Sequence, residues 1–359
     1  MLFFPTCKIN VMRLALTMGD VAGVGPEILA RVCANVAGEF SGQLVIIGDA
    51  SWLQAGAEQA GVTIAVPVVS HPAEFSDKPI CCWDPGCAVD RVASGQVDAQ
   101  AGQAACDYLN AAIDLALEGL VDGIVTAPLN KLALHAAGVP YPGHTEILAA
   151  RCGVDEFSMM LHLSDAALRD VRAITGTVDN PADGLGIAHV TLHTSVESVP
   201  SLLTLDSVFD RIVLMRDFLA NDAAIGVCAL NPHAGESGLF GDEELRIIQP
   251  AIARAQAQGI RADGPFPADT LVRRAVRGEF GGVVAMYHDQ GHIPFKLIGF
   301  ERAVNITLGL PIIRTSPSHG TAFDIAGQGR ASAAGMWEAI RMAEQLVQRR
   351  SQSDTTSRE

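Results

Sequence analysis

The chain has 359 residues, 49% of them hydrophobic and 18% charged, with 40 acidic side chains against 25 basic ones and a formal charge of −15. That length exceeds one ordinary core and suits two globular domains, not a disordered chain. The negative balance leaves no basic face for nucleic acid, although a local pocket of Lys, Arg and His can still take a small anionic substrate.

Along the chain, the start MLFFPTCKINVM is broken by Pro5 and Lys8 and lacks a basic leader, so residues 1–11 read as a loose extension and not as a signal peptide. RLALTMG (13–19) reads as a strand, and Pro26 opens a helix reaching about Val36. A strand at 43–49, a helix at 51–60 and a long amphipathic helix at 97–120 follow, then the strand VDGIVTAP (121–128) and short helices at 130–137 and 144–152. In the second half, strands are expected at 157–163, 187–193, 224–230 and 281–288, and helices at 206–219, 241–258 and 331–349. Segment 165–186 is long for a connection and reads as a hairpin or flap, and SQSDTTSRE (351–359) as a disordered tail. Alternation of this kind predicts an α/β protein with parallel sheets covered by helices, whose ligands gather beyond the carboxyl ends of the strands. No run approaches the ~18 apolar residues of a membrane span. Eight cysteines without a C-x-x-C pair read as reduced, mostly buried thiols of a cytoplasmic protein.

Polar clusters stand where the strands are expected to end. His193, His233 and His288 each follow an apolar run, and three imidazoles with an open position suit a catalytic divalent ion: Zn²⁺, Co²⁺, Mn²⁺ or Mg²⁺. His292 lies one helical turn beyond His288, but Gly291, Pro294 and the preceding β-rich run argue for a loop, which removes the geometric case for that pair. His144 and Thr145 open a helix whose free N–H groups favour anions, with N-capping by Thr145 as the alternative. Lys131 either starts a solvated helix or reaches an anion. Asp269, in a proline-rich loop, is a metal neighbour, a base or a helix cap. GDVAGVGPE is neither a G-x-G-x-x-G nor a Walker loop; it is a tight turn or a ligand-facing one. Asn305, Arg314, His319 and Asp324 crowd a glycine-rich stretch, and turn-making does not account for Arg314 after an apolar run.

In order from about 13 to 335, TMGDVAGVGPE, TAPLNK, GHTE, MML, NPHAGESGLFG, GPFPADT, YHDQGH-x-P-x-K and N-x-T-L-G-L-P-x-I-R-T-S-x-x-H-G-T-A-x-D-I-A-G form a set that resembles the 4-hydroxythreonine-4-phosphate dehydrogenase family. The last motif is also similar to the adenine-side loop of isocitrate and isopropylmalate dehydrogenases. The resemblance implies two α/β/α domains of that dehydrogenase type, one from 12–125 plus 300–350 and one from 126–299, with an interdomain cleft and a homodimer that shares each active site. It implies metal ligands His193, His233 and His288; substrate contacts His144, Thr145, Lys296, Asn305 and Arg314; a base at Asp269 or Lys296; and NAD or NADP along His319, Gly320, Ala322 and Asp324. The implied reaction is metal-dependent oxidation of 4-hydroxythreonine 4-phosphate to a 3-oxo acid that decarboxylates to 3-amino-2-oxopropyl phosphate, as in pyridoxal phosphate synthesis. Val21 and His292 depart from the biosynthetic pattern, and His292 leans toward catabolic relatives acting on D-threonate or D-erythronate 4-phosphate. A phosphate acyltransferase or metal hydrolase on a related scaffold, and a silent binding protein, are the readings from other classes.

Overall fold

The computed structural model describes residues 11–356 apart from 76–77, 88, 91, 180 and 220–221; Cys7 and most of the amino-terminal extension lie outside the described residues. In chain order the elements begin with β1 (Arg13–Thr17), α1 (Gly25–Ala34), β2 (Gln43–Ile47), α2 (Ala50–Ala60), β3 (Val68–Val69), β4 (Ile80–Trp83) and α3 (Ala99–Leu117). They continue with β5 (Gly123–Thr126), α4 (Lys131–Ala136), α5 (His144–Cys152), β6 (Ser158–Leu163), α6 (Asp165–Thr175), β7 (Leu185–His189), α7 (Val199–Leu202) and α8 (Leu205–Leu219). The remainder are β8 (Ile225–Cys228), α9 (Gln249–Ala257), β9 (Ala262–Phe266), α10 (Ala268–Val276), β10 (Gly282–Ala285), α11 (His288–Gly299), β11 (Val304–Leu308), β12 (Arg314–Pro317) and α12 (Ala334–Thr356).

Two compact units divide the chain. The first runs to Ile147 and takes back 312–316 and everything from Gly320; the second is 148–311 with 317–319. The TAPLNK and PGHTE segments therefore belong to the first unit and 300–311 to the second, whereas the sequence motifs placed both boundaries elsewhere.

In the first unit the strands run β3-β4-β2-β1-β5-β12, every pair parallel. β1 and β2 are buried along nearly their whole length, as all-parallel strands covered on both faces must be. Helices α3 and α12 pack on this sheet. Three of its helix starts are capped by side chains: Asp49 for α2, Asp98 for α3 and Asn130 for α4, each accepting from backbone N–H groups of the first turn. Asn130 thus leaves Lys131 as an exposed first helical residue.

The second unit orders its strands β11-β6-β7-β10-β8-β9. Here the all-parallel expectation fails, because β6 runs antiparallel to both β7 and β11. Its core gathers Leu161, Leu185, Ile187, Leu271, Val283 and Phe295, and α6 caps it through Leu168. Segment 165–175 is therefore a helix and not a hairpin: Ser164 caps it, and buried Arg172 ties it down through the carbonyl oxygens of Val276 and Ala182 and the Asp165 carboxylate. The other departures are at ends. The strand expected at 187–193 is 185–189, so His193 lies in a connecting segment beyond it. The carboxyl-terminal tail continues α12 as helix to Thr356, and only 357–359 fall outside the described residues.

Candidate active site

The second unit builds a corner of imidazoles. His288 is the first residue of α11 and His292 sits one turn on, so the loop expected for this stretch is a helix. Gly291 and Pro294 were the arguments against it, and tertiary contacts override both. Gln290 is tied to Met286 N (2.7 Å) and Ala229 O (2.6 Å), and Phe295 is fully buried. The His288 and His292 rings stack with centroids 3.8 Å apart and 9° between planes. The His193 ring lies 6.1 Å from that of His288. A fourth histidine, missed in the sequence because it sits inside an apolar strand run, completes the corner. His189 ends β7, is 1% exposed, and places Nε2 3.2 Å from His292 Nδ1. Burial, then the neighbouring imidazoles, push His189 down to about 3 and His292 to about 4, so both are neutral at physiological pH. His288 Nδ1 lies 2.6 Å from Asp289 Oδ1, which makes Nδ1 the protonated nitrogen and leaves the Nε2 lone pair free.

His233 is held differently. From His233 to Ser237 five consecutive residues are left-handed, with φ of 53°, 55°, 76°, 44° and 58°, and only the third is glycine. A buried carboxylate anchors the residues that lead into this turn. Glu244 Oε1 accepts from Leu230 N (2.9 Å) and Asn231 N (2.8 Å), and its Oε2 from Asn231 Nδ2 (3.0 Å). Glu244 opens a π-helical turn, Glu244–Ile248, ahead of α9. Such turns and such backbone strain are common where a chain must aim a functional side chain. His233 is exposed, and its ring neighbour is Phe240, with centroids 6.5 Å apart. The structure thus brings the His193 and His288 rings together; among the described residues no group of three His, Cys, Asp or Glu side chains stands ready to hold a metal ion.

Asp269 is exposed in the first turn of α10, whose cap position is Pro267, so it does not cap the helix. It lines a groove of about 470 Å³ with Tyr287, Asp289 and Gln290, walled by apolar side chains of α6, α10 and α11. Such walls suit a phosphorylated acid poorly. Lys296 is exposed two turns along α11 from His288, and Asn305 on β11 buries an Oδ1 that meets no hydrogen-bond partner.

In the first unit, His144 and Thr145 form the first turn of α5, which starts at His144, so Thr145 is not its cap. Arg314, 3% exposed, donates from Nη2 to Thr126 Oγ1 at 2.7 Å. Burial lowers its pKa to about 10, against the Glu146 charge that raises it, and it stays cationic at neutral pH. Burial, and then the charge of Arg314, hold His144 well below the usual imidazole range. A buried guanidinium beside a neutral imidazole and a helix start is a cationic pole suited to phosphate or carboxylate.

The GDVAGVGPE turn is packed within the first unit: residues 14–30 are all buried. It is a backbone cradle. Asp20 N donates to Pro128 O (3.0 Å) and Val24 N to Thr321 O (3.1 Å), and Gly19, at φ +68°, lies where any Cβ would run into the Ala127–Pro128 backbone. The cradle thereby holds the start of segment 320–325, where Gly320 has open space around it, Ala322 is left-handed at φ 45° and Asp324 is exposed. His319, one residue earlier, is half-buried and falls in the second unit.

The sequence profile of the pyridoxal phosphate biosynthetic protein PdxA matches residues 41–343. The chain belongs to the PdxA family. It is 42% identical over 347 residues to the D-threonate 4-phosphate dehydrogenase of Bordetella bronchiseptica, covering 94% of this chain and 93% of that one. It is 41% identical over 342 residues to the 4-hydroxythreonine-4-phosphate dehydrogenase of Geobacter metallireducens, covering 93% and 95%. Among solved structures, the 4-hydroxythreonine-4-phosphate dehydrogenase of Klebsiella pneumoniae superposes with a TM-score of 0.80 at 40% identity, over 95% of this chain and 99% of that one.

The PdxA family is one of dehydrogenases, which implies a nicotinamide cofactor. The donor chemistry on the second unit also fits a divalent ion, because His288 keeps a free Nε2 lone pair oriented by Asp289 with a second imidazole beside it.

Proposed function

We propose that this PdxA-family chain catalyses NAD(P)-linked oxidation of a four-carbon 3-hydroxy acid 4-phosphate, followed by loss of CO₂. His193, His233 and His288 would hold one divalent ion, which when bound lowers the pKa of a coordinated hydroxyl and polarises the ketone that forms. His144, Thr145 and Arg314 would anchor the phosphate and carboxylate, with Asn305 orienting the substrate through its unpartnered Oδ1. Lys296 or Asp269 would take the hydroxyl proton as the C3 hydride leaves for a nicotinamide seated along His319, Gly320, Ala322 and Asp324. The 3-oxo acid then loses its C1 carboxyl as CO₂. From 4-hydroxythreonine 4-phosphate this leaves 3-amino-2-oxopropyl phosphate; from D-threonate 4-phosphate, dihydroxyacetone phosphate.

The observation that carries the reading is the pair formed by His288, oriented by Asp289, and His193 in a chain matched over nine-tenths of its length by dehydrogenases of both substrates. The D-threonate reading has its own support in His292, which departs from the biosynthetic pattern. The reading also carries a homodimer, checked by sedimentation. Purified protein with NAD⁺ or NADP⁺ and either 4-phosphate should generate NADH or NADPH absorbance that chelation abolishes. His288→Ala should lower kcat/KM by roughly a thousandfold. Absence of nucleotide reduction with every four-carbon hydroxy-acid phosphate, in the presence of Mg²⁺, Mn²⁺, Co²⁺ or Zn²⁺, would end the proposal.

A further inference from the structure

His189 and His292 have no part in that reaction, and the way they are housed is unusual. Both rings are buried, at 1% and 6% exposure, where apolar side chains would fill the space without burying ring nitrogens. The helix also gives way to make room for them. Position 291 lies inside α11, where alanine would favour the helix, yet a Cβ there would collide with His189 Nε2 and come within 2.8 Å of Ile187 Cγ2. Glycine at 291 is what lets the His189 ring approach α11 closely enough to meet His292.

We propose that His189 and His292 are a positioning pair for His288, fixing its ring plane so that Nε2 is aimed before a divalent ion arrives; this rests on the metal reading above. The chain of contacts is continuous. His189 is anchored at the end of β7. Its Nε2 meets His292 Nδ1 at 3.2 Å, which stops the His292 ring from turning. The His292 ring covers the face of His288 at 3.8 Å and 9°. The Asp289 carboxylate holds the edge of His288 through Nδ1. With one face covered and one edge tied, His288 loses its freedom of rotation before the ion binds, and the entropy of ordering it is not charged to metal affinity.

The test is titration of the metal-free full-length protein with Co²⁺, read by calorimetry and by the visible ligand-field bands of the bound ion. His292→Leu should weaken Co²⁺ binding roughly tenfold and change the band pattern. His292→Phe, which keeps a flat ring over His288, should recover most of the affinity. His292→Ala removes the stack without adding bulk and gives the same readout if the leucine variant does not fold. Gly291→Ala should weaken binding in the same direction by pushing His189 away. Unchanged affinity and bands in the leucine or alanine variant, with His288→Ala abolishing binding, would overturn the positioning role and leave the metal site standing. Wild-type protein that takes up no Co²⁺, or His288→Ala that binds it as well as wild type, would instead remove the metal reading on which the pair depends.

Discussion

Two stretches of the second unit break backbone preference in opposite directions. The turn at 233–237 places alanine, glutamate and serine where glycine would be relaxed, and α11 places glycine at 291 where alanine would be relaxed. In the first, strain is carried by the main chain, whose entry at Leu230 and Asn231 is anchored by a carboxylate, Glu244. In the second, the main chain is ordinary helix and the concession is a missing side chain that admits His189. Both present a histidine, His233 or His288, but the first depends on hydrogen bonds to backbone and the second on ring packing. The two should therefore fail in different ways.

The largest effect is expected at the clamp. Glu244→Ala leaves the backbone N–H groups of Leu230 and Asn231 without their acceptor, while the Asn231 amide keeps Glu243, and should destabilise the protein by about 3 kcal/mol. Urea denaturation showing less than about 1 kcal/mol would mean that the turn holds itself. Next comes Gly291→Ala, which in an ordinary helix stabilises by ~1 kcal/mol but here should destabilise by about 2 kcal/mol through overpacking against His189. A stabilised Gly291→Ala protein would erase the contrast between the two stretches. The smallest is Ala234→Gly, expected to stabilise by about 1 kcal/mol because it relieves a left-handed alanine. A thermal midpoint that falls in this variant would show that the alanine side chain contributes packing that outweighs the strain.

Much of this architecture can be read from the chain itself. Alternating apolar runs and helical periods locate most of the strands and helices, Pro26 marks a helix start, and the spaced histidines mark the chemistry. What cannot be read is whatever depends on distant contacts. Gly291 looks like a helix breaker until His189, about a hundred residues earlier, is seen to occupy the space its side chain would fill. His189 hides within an apolar strand, and only the three-dimensional pairing with His292 separates it from a core residue. Segment 165–175 does carry a helical apolar period, with Ala167, Leu168 and Val171 turned to the core, but its position in a long connection between two strand runs masks it, and Arg172 ties it down through two carbonyl groups and a carboxylate. The left-handed turn at 233–237 has no local signal, since its sequence NPHAGESG suits many turns and the Glu244 that anchors its entry at Leu230 and Asn231 comes later in the chain. GDVAGVGPE reads equally as a tight turn or a ligand-facing one, and only the fold shows how closely its glycines are packed.

The same buried turn gives the protein a thermodynamic dependence on proton activity. Asp20 is fully buried with one oxygen on Ala22 N and the other without a partner, and burial raises its pKa from 3.8 to about 6. The folded chain binds this proton more tightly than the unfolded one, so folding takes up a proton between about pH 4 and pH 6. The stabilisation is complete below pH 4 and is lost as the pH rises through about 6, amounting to about 3 kcal/mol for a shift of this size. Asp20→Asn should match wild type in urea at pH 4 and exceed it at pH 7.5, and equal stability at both would assign the carboxylate no such role. In a neutral solution the turn that cradles segment 320–325 is therefore held together against a standing electrostatic penalty, and mild acid relieves it.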